Sequence, residues 1–260
     1  MSIYNDKTFI DLNRIARIGH ETYTSFFDLE LINKLNETID SIYLSERILS
    51  SIGLGNSSYR NGSIFIGNLL IKSKIFIQTA FLIQNLLREN QISNYYLSEY
   101  FCVSTNKCNY FQPWWHRDFP HTIENFSIYN EHTLGFFIPV SSYNLESGST
   151  KIVKNSNTDK FLNEKKGIIT DMSANKGDLI IYDPKICHTG GCNLQNKTRH
   201  LIVAIFSRKE LISYENFNIQ VDMAFSHTDR NLLKQINLIR HKEVTNFFGR
   251  NRSIQYSVLS

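Results

Sequence analysis

The sequence contains few cysteines, and their spacing excludes the common cysteine-based zinc modules. Four cysteines occur among 260 residues, and no two of them form a Cys-x-x-Cys pair. Zinc knuckles and ribbons need such closely spaced thiolates. We therefore expect free thiols, kept reduced by the compartment, at Cys102, Cys108, Cys187 and Cys192.

Long apolar runs and a strong excess of one charge are also missing. No run of about 18 apolar residues is available for a membrane helix, and the N-terminus lacks the apolar region of a secretory signal. The formal net charge of +4 is spread along the chain, which is too little to indicate nucleic-acid binding. We expect a cytoplasmic protein that binds neither membranes nor nucleic acid.

The apolar content is sufficient for a folded domain. Hydrophobic residues make up 42% of the chain and charged residues 20%, which argues against disorder. We predict one domain over residues 1–260, with an N-terminal helical scaffold at about 1–94, a β-rich core at 95–207 and a C-terminal helical extension at 208–260.

Helical periodicity locates the scaffold helices. Asp28 is predicted to cap a helix that continues through Ile42, and a longer helix is predicted from Lys72 to Arg88. Both are expected to pack on the outside of the sheet. The other predictions for this part are an irregular lead-in with a short strand at 1–27, a loop from Ser50 to Gly62 and a strand from Ser63 to Ile71.

Short strands separated by turns follow, which is typical of a sandwich or barrel. With candidate histidine ligands on separate strands, the architecture that fits is mainly β with flanking helices, around a double-stranded β-helix (jelly-roll, cupin-like) core. The predicted strands are Tyr95–Ser104, Tyr110–Asp118, Thr133–Val140, Thr150–Lys154, Gly167–Thr170, Leu179–Tyr182 and Arg199–Ser207.

The stretch from Tyr110 to Asp118 holds the first candidate metal ligands. Its aromatic residues favour an extended segment, although Pro113 implies an edge or a bend. Side chains at positions i and i+2 of a strand share a face, so His116 and Asp118 would lie together and Arg117 opposite. An imidazole and a carboxylate on one face supply two of the three protein ligands of a facial Fe(II) site.

His188 and Arg199 extend this pattern. His188 lies just beyond a buried strand that begins after the turn at Gly177-Asp178, and Arg199 opens another apolar strand eleven residues later. A buried arginine needs an anionic partner, and its planar guanidinium suits bidentate pairing with a carboxylate. We predict that this partner is the distal carboxylate of 2-oxoglutarate.

This order of residues resembles the phytanoyl-CoA dioxygenase family. That family comprises Fe(II)- and 2-oxoglutarate-dependent oxygenases, and ectoine hydroxylase is a relative. The resemblance covers roughly residues 95–207 and implies that His116, Asp118 and His188 bind iron and that Arg199 holds the cosubstrate. Asn193 also fits the family's polar turn. The segment Gly148–Asn157 departs from the family, because it lacks the proline and histidine with which the corresponding segment usually ends.

The resemblance implies hydroxylation of an unactivated C–H bond in a small or carrier-linked metabolite, with O2 consumed and succinate and CO2 as co-products. Related halogenases have a small residue where Asp118 lies, so its carboxylate argues for hydroxylation, with desaturation or ring formation as the less common alternatives. Two alternatives are a metal-dependent hydrolase, which would prefer zinc, and a non-catalytic jelly-roll binding protein. Neither requires Arg199. A zinc site that adds Cys187 and Cys192 to His188 lacks the usual spacing.

Residues near the candidate ligands receive separate predictions. Gln112 shares the parity of His116 and is a candidate hydrogen-bond donor to the cosubstrate, whereas Trp114 is expected in the core. Arg117, on the other face, is expected at the surface or at a substrate gate. His200 is expected off the site, because neighbours on a strand face opposite ways.

Two further segments bear on the substrate. The long polar and aromatic connection from Phe119 to Asn130 is predicted to form a lid. The C-terminal segment is predicted to be helical from Ser226 to Phe248, and its basic residues would attract an anionic substrate or carrier. Only Asp229 and Glu243 oppose its basic residues, Arg230, Lys234, Arg240, His241, Lys242, Arg250 and Arg252.

Overall fold

Two antiparallel sheets enclose the core of the computed structural model. The structure describes residues 9–51, 59–60, 63–92, 94–108, 112–118, 133–159, 163–208 and 236. The large sheet has the strand order β1 (His20–Tyr23), β8 (Leu179–Tyr182), β5 (Thr133–Pro139), β10 (Arg199–Arg208), β4 (Tyr95–Thr105), β3 (Ser63–Ile66) and β2 (Tyr59–Arg60). The small sheet has the order β7 (Ile169–Met172), β6 (Thr150–Val153) and β9 (His188–Thr189).

Strand β10 separates two apolar clusters by the alternation of its side chains. Ile202, Ala204 and Phe206 point outward into the cluster that the helices cover. Leu201 and Val203 point inward, together with residues of the small sheet. Because successive side chains of a strand alternate between faces, Arg199 lies on the inner face and His200 on the outer one. The two-sheet architecture with helices outside confirms the predicted jelly-roll core.

The helices are α1 (Leu12–Ile18), α2 (Leu29–Ser51), α3 (Leu69–Lys72) and α4 (Lys74–Glu89). The predicted cap of α2 is confirmed, because Asp28 Oδ1 accepts a hydrogen bond from the backbone N–H of Glu30 at 2.6 Å. Ile32, Leu35 and Ile39 of α2 are buried in the outer cluster at helical spacing. Helix α2 therefore packs against the outer face of the large sheet, as predicted.

Three local predictions for the scaffold are wrong. Residues 12–18 were predicted to be irregular, but they form the short helix α1. The helix is capped by Gly19, whose φ of +92° is a left-handed conformation that glycine adopts at little cost. The strand predicted over Ser63–Ile71 ends at Ile66, and the chain then forms α3. Asn68, just before α3, has a φ of 56°, which a regular strand does not allow. The described part of the loop predicted from Ser50 to Gly62 contains β2 and the last two residues of α2, and residues 52–58 and 61–62 lie outside the described residues.

Most core strands lie within two residues of their predicted bounds. The largest displacement among them is that of β7, which was predicted at Gly167–Thr170 and lies two residues later. The predicted strand Tyr110–Asp118 has no counterpart among the strands of the described residues. The C-terminal extension, with its basic residues, lies outside the described residues except for Arg208 and Ile236. Ile236 is buried in the outer apolar cluster. None of the described helices is long and apolar enough to cross a membrane.

Candidate metal centre

The side chains of His116, Asp118 and His188 direct their ligand atoms toward one position between β9 and the segment 112–118. Oδ1 of Asp118 lies 3.4 Å from Nε2 of His116 and 3.6 Å from Nε2 of His188. The two imidazole centroids are 4.3 Å apart. Within the described part of the chain, this is the only group of three or more His, Cys, Asp or Glu side chains close enough to share a metal ion. The cysteine-containing alternative therefore has no support there.

Backbone hydrogen bonds fix two of these residues against each other. The N–H of His116 donates to the carbonyl of His188 at 2.9 Å, and the N–H of His188 donates to the carbonyl of His116 at 2.8 Å. Asp118 is held in turn, because its N–H donates to the carbonyl of Pro184 at 2.9 Å. Residues distant in the sequence are thereby brought together by the main chain itself.

The predicted strand over Tyr110–Asp118 is wrong within the described residues 112–118. His116 makes a single β-bridge with His188, and no regular ladder surrounds it in this segment. Pro113 has no backbone N–H to donate to such a ladder. The two candidate ligands His116 and Asp118 nevertheless point to the same side, as the i, i+2 spacing predicts.

Hydrogen bonds at the far side of each imidazole orient the ring. Nδ1 of His116 lies 2.8 Å from the carbonyl of Trp114, and Nδ1 of His188 lies 2.9 Å from the carbonyl of Ile186. A carbonyl only accepts hydrogen bonds, so each Nδ1 carries the proton. Each Nε2 then keeps a free lone pair that faces Asp118, which is the arrangement of a metal-binding histidine.

The charge states of these groups suit a cation. Burial lowers the pKa of His188 to about 4, although Asp118 partly opposes this effect, so the imidazole is neutral at pH 7. Burial alone would raise the pKa of Asp118, but the neighbouring His188 and His116 and the hydrogen bond from Tyr182 bring it below its ordinary value. The carboxylate of Asp118 therefore lies beside the neutral imidazole of His188.

Tyr182 is a member of the site that sequence reasoning missed. Its hydroxyl donates to Oδ2 of Asp118 at 2.6 Å, and burial together with the neighbouring carboxylate raises the pKa of the phenol well above its ordinary value. The hydroxyl therefore keeps its proton. Its place at the end of the predicted strand Leu179–Tyr182, in phase with the inward-facing Ile180, is the sequence signal that could have identified it.

Arg199 is buried on the inner face, with only 4% of its surface exposed. Its guanidinium donates to the carbonyl of Gly148 at 2.9 Å and to that of Ser147 at 3.4 Å, and it lies 5.3 Å from the ring centroid of Tyr143. Burial lowers its pKa. None of the ion pairs formed by the described residues includes Arg199. A buried cation of this kind needs an anionic partner.

Close backbone contact positions the loop that binds Arg199. A Cβ atom on Gly191 would lie 2.5 Å from the carbonyl oxygen of Ser149, so only glycine allows the two segments to approach. The buried amide of Asn193 donates to the carbonyls of Thr105 and Lys197, both at 2.8 Å. Asn193 thus forms the polar turn that its spacing from His188 indicates.

Arg117 and Trp114 depart from their predicted roles. Arg117 is half-buried and donates to the carbonyls of Ser156 and Asp159 at 2.9 and 3.3 Å, so it anchors the turn after β6. It is therefore not a free surface residue, and its role at a substrate gate stays a prediction. Trp114 was predicted in the core but is 46% exposed, and it stacks on His116 with ring centroids 4.0 Å apart. The bend at Pro113 removes the regular strand that would have carried it inward.

The remaining predicted residues have simple placements. Gln112 is exposed, and its proposed contact with a cosubstrate stays a prediction. His200 faces away from the metal centre, as predicted, and its ring nitrogens lie 2.8 Å from Oγ of Ser104 and 2.9 Å from Oδ1 of Asp40. The predicted lid at Phe119–Asn130 lies outside the described residues.

Comparison with known proteins identifies the fold. No protein-family model and no curated protein matches the sequence. Among solved structures, the non-heme alpha-ketoglutarate-dependent epimerase SnoN from nogalamycin biosynthesis has a TM-score of 0.58 and 17% identity, over 76% of this chain and 83% of SnoN. The alpha-ketoglutarate-dependent carbocyclase SnoK has a TM-score of 0.55 and 11% identity, over 77% of this chain and 85% of SnoK.

A third structure was obtained with ligands. HygX from Streptomyces hygroscopicus, with nickel, 2-oxoglutarate and hygromycin B bound, has a TM-score of 0.57 and 13% identity, over 84% of this chain and 92% of HygX. These comparisons confirm the jelly-roll fold. The resemblance to the phytanoyl-CoA dioxygenase family stays a prediction.

Proposed function

We propose that this chain is a non-haem Fe(II)- and 2-oxoglutarate-dependent oxygenase. The observation that carries the proposal is the arrangement of two imidazole Nε2 atoms and one carboxylate oxygen within 4.8 Å of one another. Two histidines and one carboxylate are the donor set of facial-triad Fe(II) sites, which keep open positions for exogenous ligands. The structural neighbours SnoN and SnoK are described as alpha-ketoglutarate-dependent, which supports the same class.

The donor atoms fit iron. His116 and His188 present Nε2 donors whose rings are oriented by hydrogen bonds at Nδ1, and Asp118 adds one negative charge. Bound iron, 2-oxoglutarate and O2 would together supply an oxidant able to attack an unactivated C–H bond, with succinate and CO2 as co-products. The protein's part is to hold the ligands and to exclude water from the reacting centre.

Arg199 is the proposed anchor of 2-oxoglutarate. It is a buried cation on the same inner face as Leu201 and Val203, and it lacks an ion-pair partner among the described residues. The carbonyls of Ser147 and Gly148 hold part of its guanidinium, which fixes its orientation. A carboxylate of 2-oxoglutarate would supply the missing negative charge. Gln112 is proposed as an additional hydrogen-bond donor to the cosubstrate.

We propose hydroxylation of a small or carrier-linked metabolite as the reaction. Asp118 occupies the carboxylate position, which favours hydroxylation over halogenation. The basic C-terminal segment, outside the described residues, supports a substrate or carrier with a negative charge. We also propose a cytoplasmic location.

Binding measurements test the proposed class without knowledge of the substrate. Nickel was bound together with 2-oxoglutarate in HygX, so Ni(II) is a suitable redox-inert probe. Calorimetry should give one Ni(II) site per chain and 2-oxoglutarate binding that depends on the metal. Preference for zinc without 2-oxoglutarate binding would indicate the hydrolase, and absence of metal binding would indicate a binding protein.

Activity measurements then test the reaction. Anaerobically reconstituted Fe(II) protein, supplied with O2 and 2-oxoglutarate, should release succinate faster when a metabolite library contains the substrate. Mass spectrometry of the responding metabolite should show a gain of one oxygen atom. A product without added oxygen would overturn the hydroxylase assignment while leaving the oxygenase class intact.

A further inference from the structure

The two oxygens of Asp118 have different surroundings. Oδ1 faces the two Nε2 atoms of His116 and His188, at 3.4 and 3.6 Å. Oδ2 accepts the hydroxyl proton of Tyr182 at 2.6 Å, which is short for a hydrogen bond between oxygens. The carboxylate is thus divided into one oxygen directed at the candidate metal position and one oxygen held by a tyrosine.

The phenol of Tyr182 is held in place from several sides. The residue is 1% exposed, and its ring centroid lies 4.3 Å from that of Phe137 and 6.1 Å from that of His188. Strand β8 is paired on both edges, so the backbone of Tyr182 lies between those of His20 and Gly135. A hydrogen-bond donor on such a packed residue has little freedom to follow a moving carboxylate.

The way in which Asp118 binds sets the number of coordination positions that the protein occupies on the metal ion. A carboxylate can bind a metal ion through one oxygen or through both. When both oxygens bind, the carboxylate takes a coordination position that 2-oxoglutarate or O2 would otherwise use. A strong hydrogen bond to Oδ2 competes with its use as a second metal ligand, because it draws negative charge from that oxygen and fixes the direction in which the oxygen points.

Resting on the proposed function, we propose that Tyr182 is a positioning residue that keeps Asp118 a single-oxygen metal ligand and so preserves a coordination position for the cosubstrate. Tyr182 acts through Asp118 and needs no contact with substrate. The hydrogen bond also sets the rotation of the carboxylate, so that Oδ1 rather than Oδ2 lies between the two imidazoles.

The test separates metal binding from cosubstrate binding. In Tyr182→Phe, the ring that packs on Phe137 is kept and only the hydroxyl is lost. Oδ2 is then free to bind the metal, so Ni(II) affinity should stay within about threefold of the wild type. The affinity of the Ni(II)-loaded variant for 2-oxoglutarate should fall by at least about tenfold, as measured by calorimetry.

Tyr100→Phe is the matched control. Tyr100 is also fully buried in the large sheet, but its hydroxyl donates to the carbonyl of Phe76 at 3.1 Å, on the side that the helices cover. This variant loses a buried hydroxyl of the same kind without affecting Asp118. It should bind both Ni(II) and 2-oxoglutarate as the wild type does, even where its unfolding temperature is lower.

A spectroscopic measurement provides a second readout. The d–d absorption of Co(II) depends on the number and arrangement of its ligands, so Co(II)-loaded Tyr182→Phe should differ from the wild type before 2-oxoglutarate is added. A structural role alone would lower stability and leave the spectrum of the folded protein unchanged. Circular dichroism establishes that the compared samples are folded.

The outcomes distinguish this inference from the proposed function. Failure of the wild type to bind 2-oxoglutarate would overturn both. If the wild type binds 2-oxoglutarate, equal affinities in the wild type and Tyr182→Phe would overturn only the role of Tyr182. A parallel loss of Ni(II) and 2-oxoglutarate affinity would also overturn it, because Tyr182 would then support metal binding as such.

Discussion

Gly135 lies directly against the ring of Tyr182. The two residues are opposite each other on β5 and β8, and a Cβ atom at position 135 would be only 2.2 Å from Cε1 and Cζ of the tyrosine. The missing side chain of Gly135 therefore provides the space in which the phenol reaches Asp118. A glycine in the middle of a strand otherwise weakens the strand, so its presence here has a packing reason.

Replacing Gly135 with alanine should displace Tyr182. The overlap must be relieved by movement of the ring or of β5, and we expect the free energy of unfolding to fall by about 1–3 kcal/mol. The displaced phenol no longer holds Oδ2 of Asp118, so the affinity of the Ni(II)-loaded variant for 2-oxoglutarate should also fall, whereas Ni(II) affinity should stay within about threefold of the wild type. Chemical denaturation and calorimetry measure the two effects. Gly190→Ala is the control, since a Cβ atom there meets nothing within 4 Å; equal effects of the two substitutions would contradict this explanation.

Replacing His188 with alanine should abolish tight metal binding. Two remaining ligands cannot maintain the facial arrangement, and the loss should exceed the roughly 10–100-fold typical of removing an outer partner of a ligand. Titration with Ni(II) measures it. His20→Ala is a suitable control, because His20 lies on β1 outside the metal group. Unchanged affinity in the His188 variant would remove that residue from the site.

Replacing Arg199 with lysine should weaken 2-oxoglutarate binding and leave metal binding intact. Lysine keeps the positive charge but loses the planar pair of donors, so we expect a loss of at least about tenfold, or 1.4 kcal/mol. Calorimetry on the Ni(II)-loaded protein separates the two constants. Arg14→Lys is the control, since Arg14 is an exposed residue paired with Glu21. A 2-oxoglutarate affinity equal to that of the wild type would place the cosubstrate elsewhere.

The metal-free protein should lose stability as the pH falls from about 6.5 to about 4. The pKa of His188 is lowered from 6.5 to about 4 by burial, so in this window the unfolded chain binds a proton that the folded chain does not. Stability therefore rises with pH across the window, by up to about 3 kcal/mol from this one residue. Asp118 contributes only at lower pH, because its pKa is lowered from 3.8.

Chemical denaturation at a series of pH values, in the presence of a chelator, measures this dependence. His188→Gln removes the titrating group, so its stability should fall less than that of the wild type between these pH values. The lowered pKa of His200 acts in the same direction and should remain in the variant. Identical slopes for the two proteins would mean that His188 is not the source of the effect.

Metal binding should also be visible in the fluorescence of Trp114. The chain has two tryptophans, and Trp114 stacks on His116 at 4.0 Å. A paramagnetic Ni(II) ion bound to that imidazole should quench the neighbouring indole. Trp114→Phe should lose most of the quenching, whereas Trp115→Phe should keep it. Equal quenching in the two variants would place the metal away from His116.

The candidate ligands and the side to which they point were more predictable from the sequence than the residues that pack around them. The i, i+2 spacing of His116 and Asp118 needed only a locally extended backbone, so the two side chains meet although the predicted strand did not form. The inward position of Arg199 followed from strand alternation along β10. These inferences depend on short-range geometry, which a single sequence carries.

Features that depend on tertiary packing were missed. Trp114 looked like a core residue because large aromatic side chains are usually buried, but the bend at Pro113 and the pairing of His116 with His188 leave it exposed. Strand alternation marks Tyr182 as inward-facing, but its hydrogen bond to Asp118 also requires β8 to lie beside Asp118, which no local pattern specifies. Helix α1 was missed because a helix of seven residues carries little periodicity.

The two hydrogen bonds between His116 and His188 have a consequence for local opening. The segment 112–118 is also tied to the core by other contacts, including the N–H of Trp114 on Oγ1 of Thr189 and that of Asp118 on the carbonyl of Pro184. A metal ion bound to both imidazoles would link the same pair of residues a second time. Amide hydrogen exchange at His116 and Asp118 should therefore slow sharply on metal binding, while exchange in β10 stays unchanged. The centre would thus govern the lifetime of the closed form of this segment as well as its chemistry.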